Sequence, residues 1–198
     1  FCLSRGLGDV YKRQGKWGLH GHGYGLGAVA RLLSGYLDKI YIPSSFATAE
    51  LLPWASHPAT DPLFSDEALQ VVHDACIERT EKIVFLSAQD VALRNLRVCW
   101  ENVDGEYNCG RCEKCLRTMT ALYGMGVLAK SDTFPRHIKP KMIRRLVVDA
   151  ESSRRFISDN ITFLRSKGMG DSEVAQAWQA VLNRSKLASR VIKRVRRL

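Results

Sequence analysis

Apolar positions recur with different spacings along the chain, and three stretches of its first third define predicted elements. Residues 28–36 follow a glycine-dense stretch and have the period of a helix that ends near Gly35. Residues 38–43 combine β-branched and aromatic side chains in a short run, which predicts a buried strand. Residues 44–62 are rich in Ser, Ala and Pro and form a long connection, and loops of this length tend to carry function.

The following stretch has the signals of a helix start. Ser65 has the side chain of an N-cap, and Asp66 and Glu67 favour the positive end of a helix. An apolar stripe at helical spacing then runs from Leu69 to Cys76, so the pattern predicts a helix here. Further periodic stretches predict helices at 80–87 and 112–124, with an extended segment at 96–100.

The pattern of charged and apolar residues changes after residue 135. Charged residues become frequent, strand-like runs end, and helical patterns cover about 140–148, 151–167 and 171–197. The sequence therefore predicts an α/β part followed by a helical C-terminal extension.

The net charge of +10 is concentrated at the two ends of the chain. Residues 184–198 contain seven Lys or Arg and no acid, residues 1–14 contribute +2, and the body from 15 to 183 carries +1. The basic balance is therefore no argument that the whole chain binds nucleic acid. No apolar run reaches the roughly 18–20 residues of a membrane span. With six cysteines in 198 residues and no export signal, we expect a reduced, cytoplasmic setting.

The first residues have the appearance of a processing scar. Residues 9–14, Asp-Val-Tyr-Lys-Arg-Gln, resemble the translation of a transposon adapter used in shotgun sequencing of metagenomes. We therefore expect 1–14 to be a sequencing-adapter artefact and an upstream part of the protein to be missing, the alternative being a natural basic start.

The strongest chemical signal is a group of four cysteines within 17 residues: Cys99, Cys109, Cys112 and Cys115. Short Cys-x-x-Cys turns supply adjacent corners of the tetrahedron that Zn²⁺ requires, and the glycine after Cys109 lets the turn curl. A helix starting at Cys112 would favour the thiolate forms. Four protein ligands leave no open position, so we expect a structural zinc. A redox dithiol and an iron–sulfur cluster are the alternatives.

The run from 98 to 117, with its Cys-Gly-Arg-Cys-Glu-Lys-Cys motif and Arg117, resembles the zinc-binding segment of 7-cyano-7-deazaguanine synthases. Ser-His-Pro-x-x-Asp-Pro-Leu at 56–63, Glu-Lys at 81–82 and Leu-Arg-Val-Cys-Trp at 96–100 are similar to an uncharacterised branch related to those synthases. The resemblance covers roughly 17–135. It implies membership of the PP-loop ATP pyrophosphatases, and hence the C-terminal part of a doubly wound parallel sheet.

The change in pattern after residue 135 and the extent of the resemblance together predict the domain boundaries, and the resemblance implies an activity. Residues 15–135 would be a partial PP-loop-like α/β domain with the zinc site, and 136–198 a helical extension with a basic tail. The family adenylates its substrate with ATP and Mg²⁺ and releases pyrophosphate. Its phosphate-binding signature, Ser-Gly-Gly-x-Asp-Ser, does not occur in this sequence. We therefore expect ATP and Mg²⁺ to act only in the full-length protein and this fragment to be inactive alone.

Four polar residues are candidates for binding a small-molecule substrate: Ser56, His57, Asp61 and Lys82. The first three follow a predicted strand, where doubly wound sheets place their ligands, although the two prolines of this loop also suit a plain turn. Lys82 could reach a phosphate or lie on a solvated helix face. Gly23, Gly25 and Ala28 match the dinucleotide-binding pattern, but without a strand before them we interpret the glycines as helix-packing residues.

A second function class stays open at this stage. The chain could be a non-catalytic, zinc-stabilised binding module whose tail, 184–198, contacts RNA or an anionic membrane. The tail could equally be a terminal helix that packs on the domain. A homo-oligomer is compatible with either class.

Overall fold

The computed structural model describes residues 17–99, 101, 105–148 and 151–185. The chain divides into two compact units, 1–79 and 80–198. The architecture is mixed α/β and mostly helical, with one small sheet. Residues 1–14 and the tail beyond Ser185 lie outside the described residues, and the predicted boundaries at 14 and 135 stay predictions. Within the described part of the chain, no helix has the length and apolar character needed to cross a membrane.

The first unit combines one helix with two parallel strands. Its elements are a π-helical turn Trp17–Gly21, helix α1 His22–Leu32, strand β1 Lys39–Pro43, short 3-10 helices Thr48–Glu50 and Asp61–Phe64, and strand β2 Gln70–Asp74. The strands pair in parallel, with Ile42 opposite His73. The strand predicted at 38–43 is confirmed, while the predicted first helix begins earlier and ends at Leu32. The small core comprises Ala30, Ile42, Leu69 and Val71.

The helix predicted after Ser65 is wrong, because this stretch ends in strand β2. The Asp66 carboxylate accepts hydrogen bonds from the N–H groups of Ala68 and Leu69 at 2.9 and 3.0 Å, which makes a local turn. The Ser65 hydroxyl accepts from the N–H of Val71 at 2.9 Å instead of capping a helix. The β-branched pair at 71–72 then pairs with β1. Cap-type side chains serve turns as readily as helix starts, and the partner strand decided between them.

The second unit is helical. Its elements are α2 Arg79–Ser87, α3 Asp90–Asn95, α4 Glu113–Gly124, a short 3-10 helix Leu128–Lys130, α5 Pro140–Arg144, α6 Glu151–Ser166 and α7 Glu173–Leu182. The helices predicted near 80–87, 112–124 and 151–167 are confirmed. The helix predicted at 140–148 is confirmed only for its first half, because α5 ends at Arg144 and residues 146–148 are not helical. The pattern predicted at 171–197 corresponds to α7, and its part beyond Ser185 lies outside the described residues.

Helix α4 lies at the centre of the second unit. Its side chains from Cys115 through Leu122 are all buried, and α6 packs against it. The indole N–H of fully buried Trp178, on α7, donates to the Thr120 hydroxyl at 2.8 Å, and that hydroxyl donates to the carbonyl of Leu116 at 2.7 Å. The polar atoms of Trp178 and Thr120 are therefore paired, as burial demands. Two of the four clustered cysteines lie at the start of this buried helix.

Candidate functional site

The four predicted cysteines converge on one point at the start of α4. Their sulfur atoms all lie within 4.8 Å of one another, and Cys109 Sγ is 3.9 Å from Cys115 Sγ. A tetrahedron with metal–sulfur bonds of about 2.3 Å has edges of about 3.8 Å. Cys99 and Cys115 are buried and the other two are half-buried, and all four are free thiols. Donor type, number and spacing thus fit a four-coordinate metal ion that the chain encloses.

The Cys-x-x-Cys turn has the shape that its sequence predicts. The Cys112 N–H points to Cys109 Sγ at 3.3 Å, and the Cys115 N–H points to Cys112 Sγ at 3.4 Å, so Cys112 is the N-cap of α4. Gly110 has φ +63°, and a Cβ there would lie 2.5 Å from the Pro135 ring. Glycine is therefore required by conformation and by space.

The strand expected before Cys99 is not a strand; residues 96–99 are held by side chains instead. Buried Asn108 accepts from the N–H groups of Val98 and Cys99 at 2.9 and 3.1 Å and donates to the carbonyls of Leu96 and Thr133 at 2.8 and 3.1 Å. One amide thus replaces a sheet ladder and aims Cys99 at the other cysteines. Sequence reasoning missed Asn108, and its only signal was its position directly before Cys109.

Burial works against thiolate formation in the bare cluster. It raises the pKa of Cys112 to about 11, although hydrogen bonding by the Cys115 N–H opposes the shift. Burial also raises the pKa of Cys115, and the neighbouring Cys112 adds to this. The N–H group at the helix start lowers the pKa of Cys112, which is the direction expected from the sequence, but desolvation of the metal-free cluster outweighs it. A bound cation would supply the charge that deprotonates these thiols.

Arg117 stabilises the first turns of α4 and does not extend the cysteine cluster. Its guanidinium pairs with Glu113 at 3.1 Å and lies 4.6 Å over the Phe156 ring. With its side chain 6% exposed, this cation is neutralised inside the second unit.

In the first unit, three of the predicted substrate-binding residues meet around one carboxylate. Asp61 is fully buried; its Oδ2 accepts from the Ser56 hydroxyl at 2.7 Å, and its Oδ1 accepts from the His57 N–H at 3.2 Å. The His73 ring nitrogen Nδ1 lies 2.6 Å from Oδ2. We call Ser56, His57, Asp61 and His73 the Asp61 cluster. Its contacts hold residues 56–61 in a closed turn next to β2, and their role in substrate binding stays a prediction.

His73 was missed because its stretch was interpreted as a helix. Its side chain is 2% exposed, and its Nε2 has no hydrogen-bond partner within the described residues. Nδ1 must carry the proton if Asp61, which already accepts from Ser56 and His57, is ionised. A period-2 interpretation of residues 69–74 would have placed His73 at the carboxyl end of a strand, where ligands of parallel sheets bind.

The glycines of α1 pack the helix and do not form a phosphate loop. A Cβ on Gly23 would lie 1.8 Å from the Ala55 carbonyl oxygen, and one on Gly27 would lie 2.6 Å from the Phe64 ring. Both therefore allow a close approach of helix and chain, as the packing interpretation predicted. The fourth candidate, Lys82, lies half-buried on α2 in the second unit. Its substrate-binding role stays a prediction.

Searches of protein-family models, curated proteins and solved structures return no match to this chain.

Proposed function

We propose that the four cysteines bind one structural Zn²⁺ and that the ion clamps residues 96–99 to the start of α4. The observation that carries the proposal is the convergence of four sulfur atoms within 4.8 Å. Zinc favours four thiolates in a tetrahedron, and a site with four protein ligands has no position left for a catalytic water. The ion would act on folding and leave the chemistry to other residues.

Metal analysis of freshly purified, reduced protein tests this proposal. About one zinc per chain is expected. Replacement by Co²⁺ should give the intense visible absorption of tetrahedral thiolate ligation. A brown, iron-containing protein would instead assign an iron–sulfur cluster, and a metal-free protein with a reversible disulfide would assign a redox dithiol.

We further propose that this chain is the zinc-bearing part of an ATP-dependent enzyme that adenylates a small molecule and releases pyrophosphate, similar to 7-cyano-7-deazaguanine synthase. The resemblance of the cysteine segment and of residues 56–63 supports this, as does the parallel β1–β2 pair, which is the pairing of a doubly wound sheet. The Asp61 cluster follows β1 and reaches β2 through His73, as a ligand site of such a sheet would.

Upstream genomic sequence and a pyrophosphate assay test the enzymatic proposal. A longer product of the same gene that carries Ser-Gly-Gly-x-Asp-Ser should bind ATP and Mg²⁺, because backbone N–H groups of that loop hold phosphate. This chain by itself should release no pyrophosphate. A restored gene without the loop would refute the ATP proposal and leave the zinc proposal intact.

The alternative is a non-catalytic, zinc-stabilised binding module. The missing phosphate loop and the basic run 184–198 favour it. Of that run, Arg184 is described, and its guanidinium donates to the carbonyls of Arg144 and Leu146 at 2.7 and 2.6 Å. The first cation of the tail therefore closes the end of α5, and any RNA or membrane contact would fall to the residues after it.

A further inference from the structure

We infer that the second unit binds single-stranded RNA through residues 136–145, here called the basic segment, and two cavities beside it. The segment contains five Lys or Arg, one His and no acid: Arg136, His137, Lys139, Lys141, Arg144 and Arg145. Every one of these side chains is exposed. The body of the chain is nearly neutral, but the positive charges of this segment are close together in sequence with no acid between them. This surface is therefore locally basic. This inference does not depend on the enzymatic proposal.

The basic segment is fixed to the fold by one apolar side chain. Ile143, on the short helix α5, is fully buried in the core of the second unit. Its other apolar side chains, Ile138 and Met142, are partly buried. A membrane-binding helix would present such side chains to lipid, whereas the apolar side chains of this segment are buried or half-buried. The charge therefore suits a polyanion in water better than an anionic membrane.

The two cavities differ in character and share His137. The first, about 320 Å³, lies between the Cys-x-x-Cys turn and the basic segment and is lined by Arg111, His137 and Lys139 together with one acid, Glu106. The second, about 610 Å³, is lined by apolar side chains such as Tyr123 and Met169, with Arg136 and His137 also on its wall and Glu173 as its acid. A cationic cavity thus adjoins an apolar one.

A nucleotide has the matching division into an anionic phosphate and a flat apolar base. Proteins that hold single strands pair a cationic groove for the backbone with apolar or aromatic surfaces for unstacked bases. A duplex keeps its bases stacked and would leave the apolar cavity unused. Single-stranded RNA is therefore the occupant that fits both cavities.

Fluorescence anisotropy with a labelled RNA of about 12 nucleotides, measured over a series of KCl concentrations, tests the inference. We compare Arg136→Gln/Lys139→Gln with the control Arg94→Gln/Lys167→Gln, which removes two exposed cations from other elements of the same unit. A third double variant, Lys193→Gln/Arg194→Gln, neutralises part of the tail. Because each phosphate contact on a single strand contributes about 0.7 to the slope of log K against log salt, the first variant should lower the slope by about 1.4. The other two should leave it unchanged.

A cavity-filling variant tests the base-binding half separately. Ala129 is exposed and lines the larger cavity. Ala129→Trp should weaken RNA binding on the order of tenfold, the loss of one base contact, without changing the salt slope. Unchanged affinity would show that no base enters this cavity and would overturn that half of the inference.

Four results would overturn the assignment of RNA to the basic segment. They are no RNA binding by the full chain, an equal loss in the Arg94/Lys167 control, a loss confined to the tail variant, and binding to phosphatidylserine vesicles in place of RNA. The tail result would instead support the alternative function proposed above. Zinc content, measured in the same samples, keeps this test separate from the metal proposal.

Discussion

The two units differ in what occupies their centres. In the first unit, the small apolar core is supplemented by a buried carboxylate, Asp61, that collects hydrogen bonds from its own loop and from β2. In the second unit, α4 is buried along most of its length in a large apolar core, and the polar chemistry gathers at its start as four sulfur atoms. The first unit also exposes large apolar side chains on α1, among them Leu32, which is 80% exposed.

This difference predicts how each unit responds to the loss of a contact. A unit with a small core depends on every buried polar contact, because few apolar contacts remain to offset the loss of one. A unit with a large core keeps its centre when one end is released, so loss of the proposed metal should loosen the described residues between 96 and 115 first. Loss of a contact in one unit should therefore leave the other unit largely unchanged, which provides an internal reference for the two largest effects.

Loss of the metal should have the largest effect. Cys115→Ser removes a fully buried ligand, and we expect a cost of about 4 kcal/mol or more in the free energy of unfolding, with zinc released. Thermal unfolding with and without a chelator measures this. The matched control is Cys76→Ser, a thiol of the first unit outside the cluster, which should retain zinc and change the melting temperature little. Equal losses in both variants would contradict a metal site.

Substitution of the buried carboxyl group of the first unit should have the next largest effect. Asp61→Asn keeps one accepting oxygen but places an NH₂ group where Oδ2 contacts Ser56 and His73. Because these buried groups lose their acceptor, we expect the free energy of unfolding to fall by about 3 kcal/mol. Hydrogen exchange should show faster opening in 17–79 and little change in α4. Asp74→Asn, at an exposed carboxylate on β2, is the control. Faster exchange spread equally over both units would contradict their separate stability.

Asn108→Ala should have an intermediate effect. It removes the acceptor for the N–H groups of Val98 and Cys99. We therefore expect the free energy of unfolding to fall by about 2 kcal/mol and the zinc affinity to fall by roughly tenfold or more. Competition with a chelator of known affinity measures the change in zinc affinity. Asn108→Asp retains the accepting oxygen and should keep more of the affinity. Unchanged zinc affinity in both variants would show that Asn108 does not position Cys99.

The smallest effect should come from an exposed ion pair in the first unit. The hydrogen bond from Arg31, with help from the N–H groups of Ala68 and Leu69, lowers the pKa of Asp66 to about 2. A carboxyl whose pKa is lowered in the folded state stabilises that state above its unfolded pKa of about 3.9, and the contribution is lost as the pH falls through about 2. Arg31→Gln should raise the Asp66 pKa toward its usual value, as measured by NMR titration. An unshifted pKa would contradict the pair.

How far the sequence predicts the structure differs between the two units. Helix α4 and the four cysteines were predictable because the signals are local: the apolar stripe repeats within one helix, and the Cys-x-x-Cys spacing itself brings thiols together. Strand β2 was not, since Ser65 and Asp66 suit a turn as well as a helix cap, and only pairing with β1 selects the turn. Asn108 was missed because its partners are distant in sequence. His73 was missed because it lies on the strand that the sequence pattern presented as a helix.

The sequence by itself determined the main helices of the second unit, the strand at 39–43 and the group of four cysteines that could hold a metal. Each follows from residue types close together in the chain. The tertiary structure decided that residues 70–74 form a parallel strand, that one asparagine replaces a ladder for 96–99, that Asp61 is buried with His73, and that the basic segment adjoins two cavities. These outcomes depend on contacts between residues far apart in the chain. Local periodicity carries no information about such contacts. They form because burying a polar group without a hydrogen-bond partner is costly, so the fold pairs these groups across long sequence distances.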